Sequence, residues 1–237
     1  MSTVPASDAA RLIAALDAGE QPAEGDVVRV LRRVSCPREL IDRLVFCRWV
    51  IGSRRVLQLV LRHPACPPHF AFDTLPHLGW HDVLDVSRDG RSSPAIRRQA
   101  ERRLGERLVT MTVGERTALA RLAPRSLIPL LLGEASLTAV RALLDNPQFT
   151  EPDAIRLLHV TRDPAAVGAV LRHPVWGQRR EVARGAVRSR IIPLGVALGL
   201  LVMMRNNELA ELGNAEDIND RLRTAAAELA RHRMHAQ

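Results

Sequence analysis

The chain has no lysine and no tyrosine: all 34 basic residues are arginine, and the aromatics are three Trp and four Phe in 237 residues. β-Sheets lean on Tyr, Phe, Trp and Thr, so this composition argues against one and leaves an aliphatic core suited to short packed helices. A chain selected for phosphate binding ordinarily uses lysine beside arginine. Arginine alone reads instead as the imprint of a GC-rich genome, so a pI near 11.1 carries little functional weight by itself. Cysteines are few: Cys36, Cys47 and Cys66 lack CxxC spacing, and no signal peptide precedes them. A reducing, cytoplasmic compartment with buried thiols is expected. Long apolar runs are missing too. The longest, Ile191 to Met204, has 14 residues including Pro193; as a helix it spans about 21 Å against a hydrocarbon layer of ~30 Å. It reads as a buried core helix, and no membrane partner is expected.

Catalytic motifs are absent as well. There is no GxSxG elbow, no Walker or dinucleotide glycine loop, and no Cys–His pairing fixed by spacing. Neither a catalytic residue nor a cofactor is assigned.

What is present is helix punctuation in a chain that is 46% apolar and so able to bury a sizeable core. Ser93-Pro94 and Asp163-Pro164 pair an N-cap residue with proline at the first helical position. Thr112 with Glu115, and Thr150 with Asp153, have capping-box spacing. Apolar residues then recur at helical spacing, as in Ile96, Ala100, Leu104 and Leu108. Roughly fifteen short helices and no strand are expected. One phrase occurs three times: Val60-Leu61-Arg62-His63-Pro64, Leu143-Leu144-Asp145-Asn146-Pro147 and Val170-Leu171-Arg172-His173-Pro174. Two apolar residues close a buried turn, His or Asn ends the helix, and proline forbids its continuation. Because Asn stands where His stands elsewhere, His63 and His173 read as caps rather than ligands.

Residues 65–108 also align without gaps on 190–233, at a spacing of 125, with six identities: Pro68, Leu75, Leu84, Arg98, Ala100 and Leu104 recur as Pro193, Leu200, Leu209, Arg223, Ala225 and Leu229. That spacing divides into three units of about 42 residues, the length of HEAT and armadillo repeats. The expected fold is an all-α solenoid of about five such units over residues 24–237 (24–64, 65–108, 109–147, 148–189 and 190–233). An acidic N-terminal segment, residues 1–23, precedes it with one helix near 8–18. Residues 1–26 hold Asp8, Asp17, Glu20, Glu24 and Asp26 against Arg11, a net charge of −4; residues 27–237 therefore carry +12 of a total of +8.

The phrases "LRHPACPP", "LLDNPQFTEPDAIRLL", "LRHPVW" and "WHDVLDVSRDGRSSPAIRRQAERRLGERL" resemble bacterial HEAT-like and leucine-rich-repeat-variant proteins, many without assigned function. The resemblance covers most of residues 50–233 and implies a helical-repeat fold; with no catalytic motif in the chain, a binding scaffold rather than an enzyme is expected. Some leucine-rich-repeat-variant proteins hold a four-cysteine iron–sulfur cluster; three scattered cysteines do not supply that set.

Two constellations remain. Cys66, His69, His77, His81, Asp82 and Asp85 gather metal-ligand chemistry, and His77 and His81 have the i,i+4 spacing of a zinc helix. Pro76 and Gly79 interrupt that helix, so no metal is expected. The other constellation is arginine. Arg180, Arg184 and Arg188 form a stripe opposite Val182, Ala183, Ala186 and Val187, and Arg98 with Arg102 lies opposite Ile96, Ala100 and Leu104. Stripes of this kind on a solenoid can engage carboxylates or phosphates. An acidic protein partner is the expected ligand, with Trp80 beside the arginines. The alternative is a DNA- or RNA-binding HEAT-like protein, which alkylpurine DNA glycosylases would resemble in using Trp and Asp around a damaged base, here Trp80 with Asp82.

Overall fold

A computed structural model of the protein describes residues 8–33, 35–133 and 136–235. Among them are 17 α-helices, two 3-10 turns and no strand. The all-helical expectation therefore holds. No helix among the described residues is long and apolar enough to cross a membrane.

Two compact units follow each other in sequence, Met1–Val109 and Thr110–Gln237. Unit 1 contains α1 (Asp8–Asp17), α2 (Glu24–Leu31), α3 (Arg38–Leu44), α4 (Arg48–Gly52), α5 (Arg54–Leu61), α6 (Pro68–Thr74), a 3-10 turn (Leu75–His77), α7 (Trp80–Arg88) and α8 (Pro94–Arg107). Unit 2 contains α9 (Val113–Leu122), α10 (Ile128–Leu132), α11 (Leu137–Leu144), α12 (Glu151–Val160), α13 (Pro164–Arg172), α14 (Arg180–Val187), α15 (Leu194–Leu200), a 3-10 turn (Leu201–Met203), α16 (Asn206–Gly213) and α17 (Asp220–His235). In unit 1, α2 packs on α5, α5 on α7, and α7 and α6 both on α8. In unit 2, α12 packs on α14, and both α15 and α16 pack on α17. Both interiors are aliphatic, with Leu40, Ile41, Leu61, Leu75, Ile96 and Leu104 fully buried in unit 1, and Leu143, Val170, Val182 and Leu209 in unit 2. Each such side chain contributes roughly 1.5–3 kcal/mol by leaving water.

The helices start and stop where side chains satisfy their free backbone groups. Ser93 accepts from Ile96 N, and Asp163 accepts from Ala165 N, each with proline at the first helical position. Thr112 and Glu115 form a reciprocal capping box, and Thr150 donates its N–H and its hydroxyl to Asp153. The thrice-repeated phrase ends three helices by one device. His63 Nδ1 accepts from Ala65 N, Asn146 Oδ1 from Gln148 N, and His173 Nδ1 from Val175 N. In each case the side chain bonds the backbone N–H two residues on, which is why Asn and His exchange in that slot.

The order of elements in unit 1 recurs in unit 2. α5, α6, the 3-10 turn, α7 and α8 correspond to α14, α15, the second 3-10 turn, α16 and α17, with Leu75 and Leu201 opening the two turns 126 positions apart (201 − 75). At that spacing buried positions fall on buried positions: Val56 on Val182, Val60 on Ala186, Ala71 on Ala197, Val83 on Leu209, Ile96 on Leu222 and Ala100 on Ala226. The spacing of 125 expected from sequence is thus one residue short. Pro193 is the N-cap of α15 and matches Pro67, the N-cap of α6, whereas Pro68 is already inside its helix.

One further expectation changes. The run from Ile191 to Met204 is no buried core helix: α15 begins at Leu194, and only Ala197, Leu201 and Met204 of the run are buried. The acidic N-terminal segment is joined to unit 1 through α1, where Asp8 accepts from Arg33 at 2.7 Å and Asp17 from Arg43 at 3.0 Å. Its first seven residues lie outside the described ones.

Candidate functional site

The arginines expected to bind a partner divide into two groups. Arg180, Arg184 and Arg188 all sit on the side of α14 that faces acidic residues of unit 2. Arg180 Nε lies 3.4 Å from Glu208 Oε1. Arg184 and Arg188 each donate to Glu211 at 2.7 Å, and Arg188 also comes within 3.7 Å of Asp217. Glu208 is buried and caps its own helix by accepting from Arg205 N at 2.8 Å. This stripe therefore joins α14 to α16.

The same staple exists 126 positions earlier. Arg54 grips Asp82 with Nε at 3.0 Å and Nη2 at 2.7 Å, and Arg62 meets Asp85 at 2.9 Å, joining α5 to α7. Arg54 and Arg180 correspond, as do Asp82 and Glu208, Arg62 and Arg188, and Asp85 and Glu211. Gln58 takes the place of Arg184. A third pair of this kind joins Arg125 to Asp153, with the acid again at the third position of its helix. In all three the arginine precedes the acid by 28 residues. The acid does two jobs: it caps or flanks a helix N-terminus, where the dipole favours negative charge, and it receives a guanidinium.

A second recurring device uses arginine against backbone carbonyls. Arg107 donates to the carbonyls of Leu78 and Pro76, both at 2.6 Å, and Arg233 donates to those of Met204 at 2.7 Å and Val202 at 3.0 Å. Each clamp satisfies the carbonyls that a 3-10 turn leaves open. Neither staples nor clamps were foreseen from sequence. An acid 28 residues after an arginine, recurring at a spacing of 126, is the signal for two of the staples, and Arg107 recurring as Arg233 at that spacing is the signal for the clamps.

Arg98 and Arg102 are placed differently. Both are exposed on α8, opposite the fully buried Ile96, Ala100 and Leu104, and neither pairs with an acid among the described residues. Their neighbour Arg103 does pair, with Glu106 at 2.9 Å. The positions 126 later hold Thr224 and Glu228, so the helical framework does not require arginine there.

Trp80 is the first residue of α7, half-buried, with its ring stacked on His81 at 3.5 Å between centroids. Asp82 beside it is buried and taken up by Arg54, which leaves no free carboxylate next to the indole. His77 ends a 3-10 turn and His81 lies inside α7, with Leu78 and Gly79 extended between them, so the two histidines do not share a helix face. Among the described residues no three of His, Cys, Asp and Glu group as metal ligands. All three cysteines are free thiols; burial pushes that of Cys66 up to about 12, and those of Cys36 and Cys47 upward too. Held protonated, a thiol is a poor nucleophile and a poor metal ligand.

No protein-family profile, curated protein or solved structure matches the chain.

Proposed function

We propose that the chain is a non-enzymatic helical-repeat scaffold, an α-solenoid of the HEAT and armadillo kind, which binds an acidic protein through Arg98 and Arg102 of α8. The observation that carries this is the contrast between two sets of arginines. Those on α14 are neutralised by Glu208 and Glu211 of the same unit, whereas Arg98 and Arg102 are exposed, unpaired and dispensable to the framework. Guanidinium groups so displayed offer bidentate contacts to carboxylates. Recurrence of the staples and clamps at a spacing of 126 supports repeated supersecondary units. A nucleic-acid role would use the same arginines on phosphates. Commitment of Arg180, Arg184 and Arg188 to intrachain acids removes the larger stripe from that use. Affinity capture from a lysate at two salt concentrations, with nuclease treatment, tests the proposal. Acidic proteins recovered by wild type and lost with Arg98→Glu/Arg102→Glu support it; recovery that depends on intact nucleic acid refutes it.

A further inference from the structure

The two copies of the motif part company where α5 and α14 end. The backbone turn is the same in both. His63 N donates to Val60 O and Cys66 N to His63 O; 126 positions on, Ser189 N donates to Ala186 O and Ile192 N to Ser189 O. The side chain in the turn differs. The His63 ring is half-buried, accepts from Ala65 N at 3.1 Å and is hydrogen-bonded to the backbone of Cys36. Asn146, its counterpart at the end of α11, is buried and donates to the carbonyls of Ala120 at 2.8 Å and Ala123 at 3.1 Å. Both side chains fill their turn and tie it to an earlier stretch of the chain. Ser189 makes neither bond. It is only 6% exposed, and its hydroxyl, shut off from solvent, has no hydrogen-bond partner among the described residues. A buried hydroxyl left unpaired is a disadvantage to the fold and calls for an explanation.

Ser189 lines a cavity of about 140 Å³ between the end of α14, the start of α15 and the start of α17. Val187, Ala197 and Leu222 form a buried apolar floor, and Ile192, Leu194 and Ile218 stand half-buried around it. Ile218 takes the place of Ser92, whose hydroxyl donates to the Leu61 carbonyl in the first copy. The rim is polar, because Arg190, Asp217 and Asn219 are exposed. Arg188 also lines the cavity, but Glu211 accepts from it at 2.7 Å and Asp217 lies 3.7 Å away. Arg190 stands where the first copy has Pro64, so the framework needs no guanidinium there, and it pairs with no acid among the described residues. One uncompensated cation and one orphaned hydroxyl thus border the same apolar cavity.

We infer that this cavity binds a small aliphatic monocarboxylate. The carboxylate sits at the mouth, accepting from the Ser189 hydroxyl and the Arg190 guanidinium, and the alkyl group lies on Leu194, Ala197 and Leu222. Arg190 sets the sign of the ligand, since a guanidinium bonds best to a carboxylate and repels a cation. Asp217 at the rim disfavours a second negative charge. The volume sets the size: a cavity of roughly 150 Å³ takes up benzene, so the ligand has about six to eight non-hydrogen atoms. Water alone suits the site poorly, because the apolar floor offers it too few hydrogen-bond partners.

Titration of the full chain with isovalerate and with butyrate, followed by ligand-observed NMR, tests this. A Kd between roughly 10 µM and 1 mM is expected for a ligand of this size. Arg190→Gln should weaken binding about ten-fold, and Ser189→Ala about three-fold. Ser189→His installs the first copy's residue and should abolish binding with the thermal midpoint unchanged or raised. Arg190 is exposed, so its arm of the test stands even if Ser189→His fails to fold. Isovaleramide, which has the same shape without the charge, should bind about ten-fold more weakly. Arg98→Glu/Arg102→Glu should leave binding unchanged, which separates this site from the acidic-partner surface. No binding of either acid at about 10 mM overturns the inference. So does equal binding of the amide, tighter binding of inorganic phosphate, or binding untouched by Arg190→Gln and Ser189→His.

Discussion

Replacing Asp153 by alanine probes the staples where burial is deepest. Asp153 is only 3% exposed, and it accepts from Thr150 N at 2.9 Å, from Thr150 Oγ1 at 2.6 Å and from Arg125. Losing the cap costs about 1 kcal/mol. The lost bond from the Thr150 hydroxyl adds about 1 kcal/mol. Arg125 is about half exposed and returns to water, so the lost ion pair, screened by solvent, adds only about 0.5–1 kcal/mol. Asp153→Ala should therefore destabilise by about 2–3 kcal/mol, or roughly 5–10 °C in Tm for a chain of this size. Urea unfolding followed by circular dichroism at 222 nm measures it, with coincidence of two probes as the check on cooperativity. The effect is pH-dependent with a definite sign. Burial pushes the Asp153 carboxyl up, but the bonds from Arg125 and Thr150 together outweigh burial and hold it below the usual carboxylate range. With the folded-state pKa below the unfolded value of about 3.9, its stabilisation is fully present above about pH 5 and fades as pH falls through the folded value. The gap between wild type and Asp153→Ala should thus narrow from pH 5 downwards. A gap under about 0.5 kcal/mol at pH 7, or one that does not narrow in acid, would refute the structural role assigned to the staple.

Three further outcomes follow from the same geometry. His173→Asn keeps an acceptor for Val175 N and should cost under about 1 kcal/mol, while His173→Ala loses the cap and should cost about 1 kcal/mol or more, both read from urea midpoints. Gly177→Ala would set a Cβ 2.1 Å from the carbonyl oxygen of Leu171, so a loss of about 3 kcal/mol or more is expected; thermal melts with Gly25→Ala, which meets nothing, as control would expose an error. Arg107→Ala and Arg233→Ala each remove two bonds to backbone carbonyls and should destabilise by similar amounts, about 1–2 kcal/mol; an effect at one site only would break the correspondence between the two copies.

Helix boundaries were legible in the sequence because their cause is local. Ser93, Thr112 and Asp163 cap through their own side chains within three residues, Asp153 accepts from the Thr150 backbone three residues back, and the His/Asn–Pro phrases stop helices by bonding two residues on. The register of the duplication was not legible. Spacings of 125 and 126 each give six identities over residues 65–108, so identity cannot choose between them. Interior volume chooses: Leu104 meets Ala230 and Val83 meets Leu209 at 126, swaps that keep an apolar interior while erasing the match in letters. The roles of the arginines were half legible. Their helical spacing correctly set Arg180, Arg184 and Arg188 on one stripe. Whether a stripe meets solvent or an acid depends on a helix some 28 residues away, which no local pattern reports. The α15 run was read as core from its apolarity alone, and apolarity does not tell a face covered by the chain's own helices from one left open.

The most direct measurement is a fluorescence-anisotropy titration of a labelled Glu/Asp-rich peptide and a labelled DNA duplex, each at 50 and 200 mM salt. Wild type, Arg98→Glu/Arg102→Glu and Arg184→Gln/Arg188→Gln are compared. The peptide should bind wild type and the α14 variant alike, lose at least ten-fold with the α8 variant, and weaken modestly with salt. Duplex binding near physiological salt should be negligible. Tight duplex binding that falls with salt at a slope of about −0.9 per phosphate contact, and that depends on Arg184 and Arg188, would contradict the account.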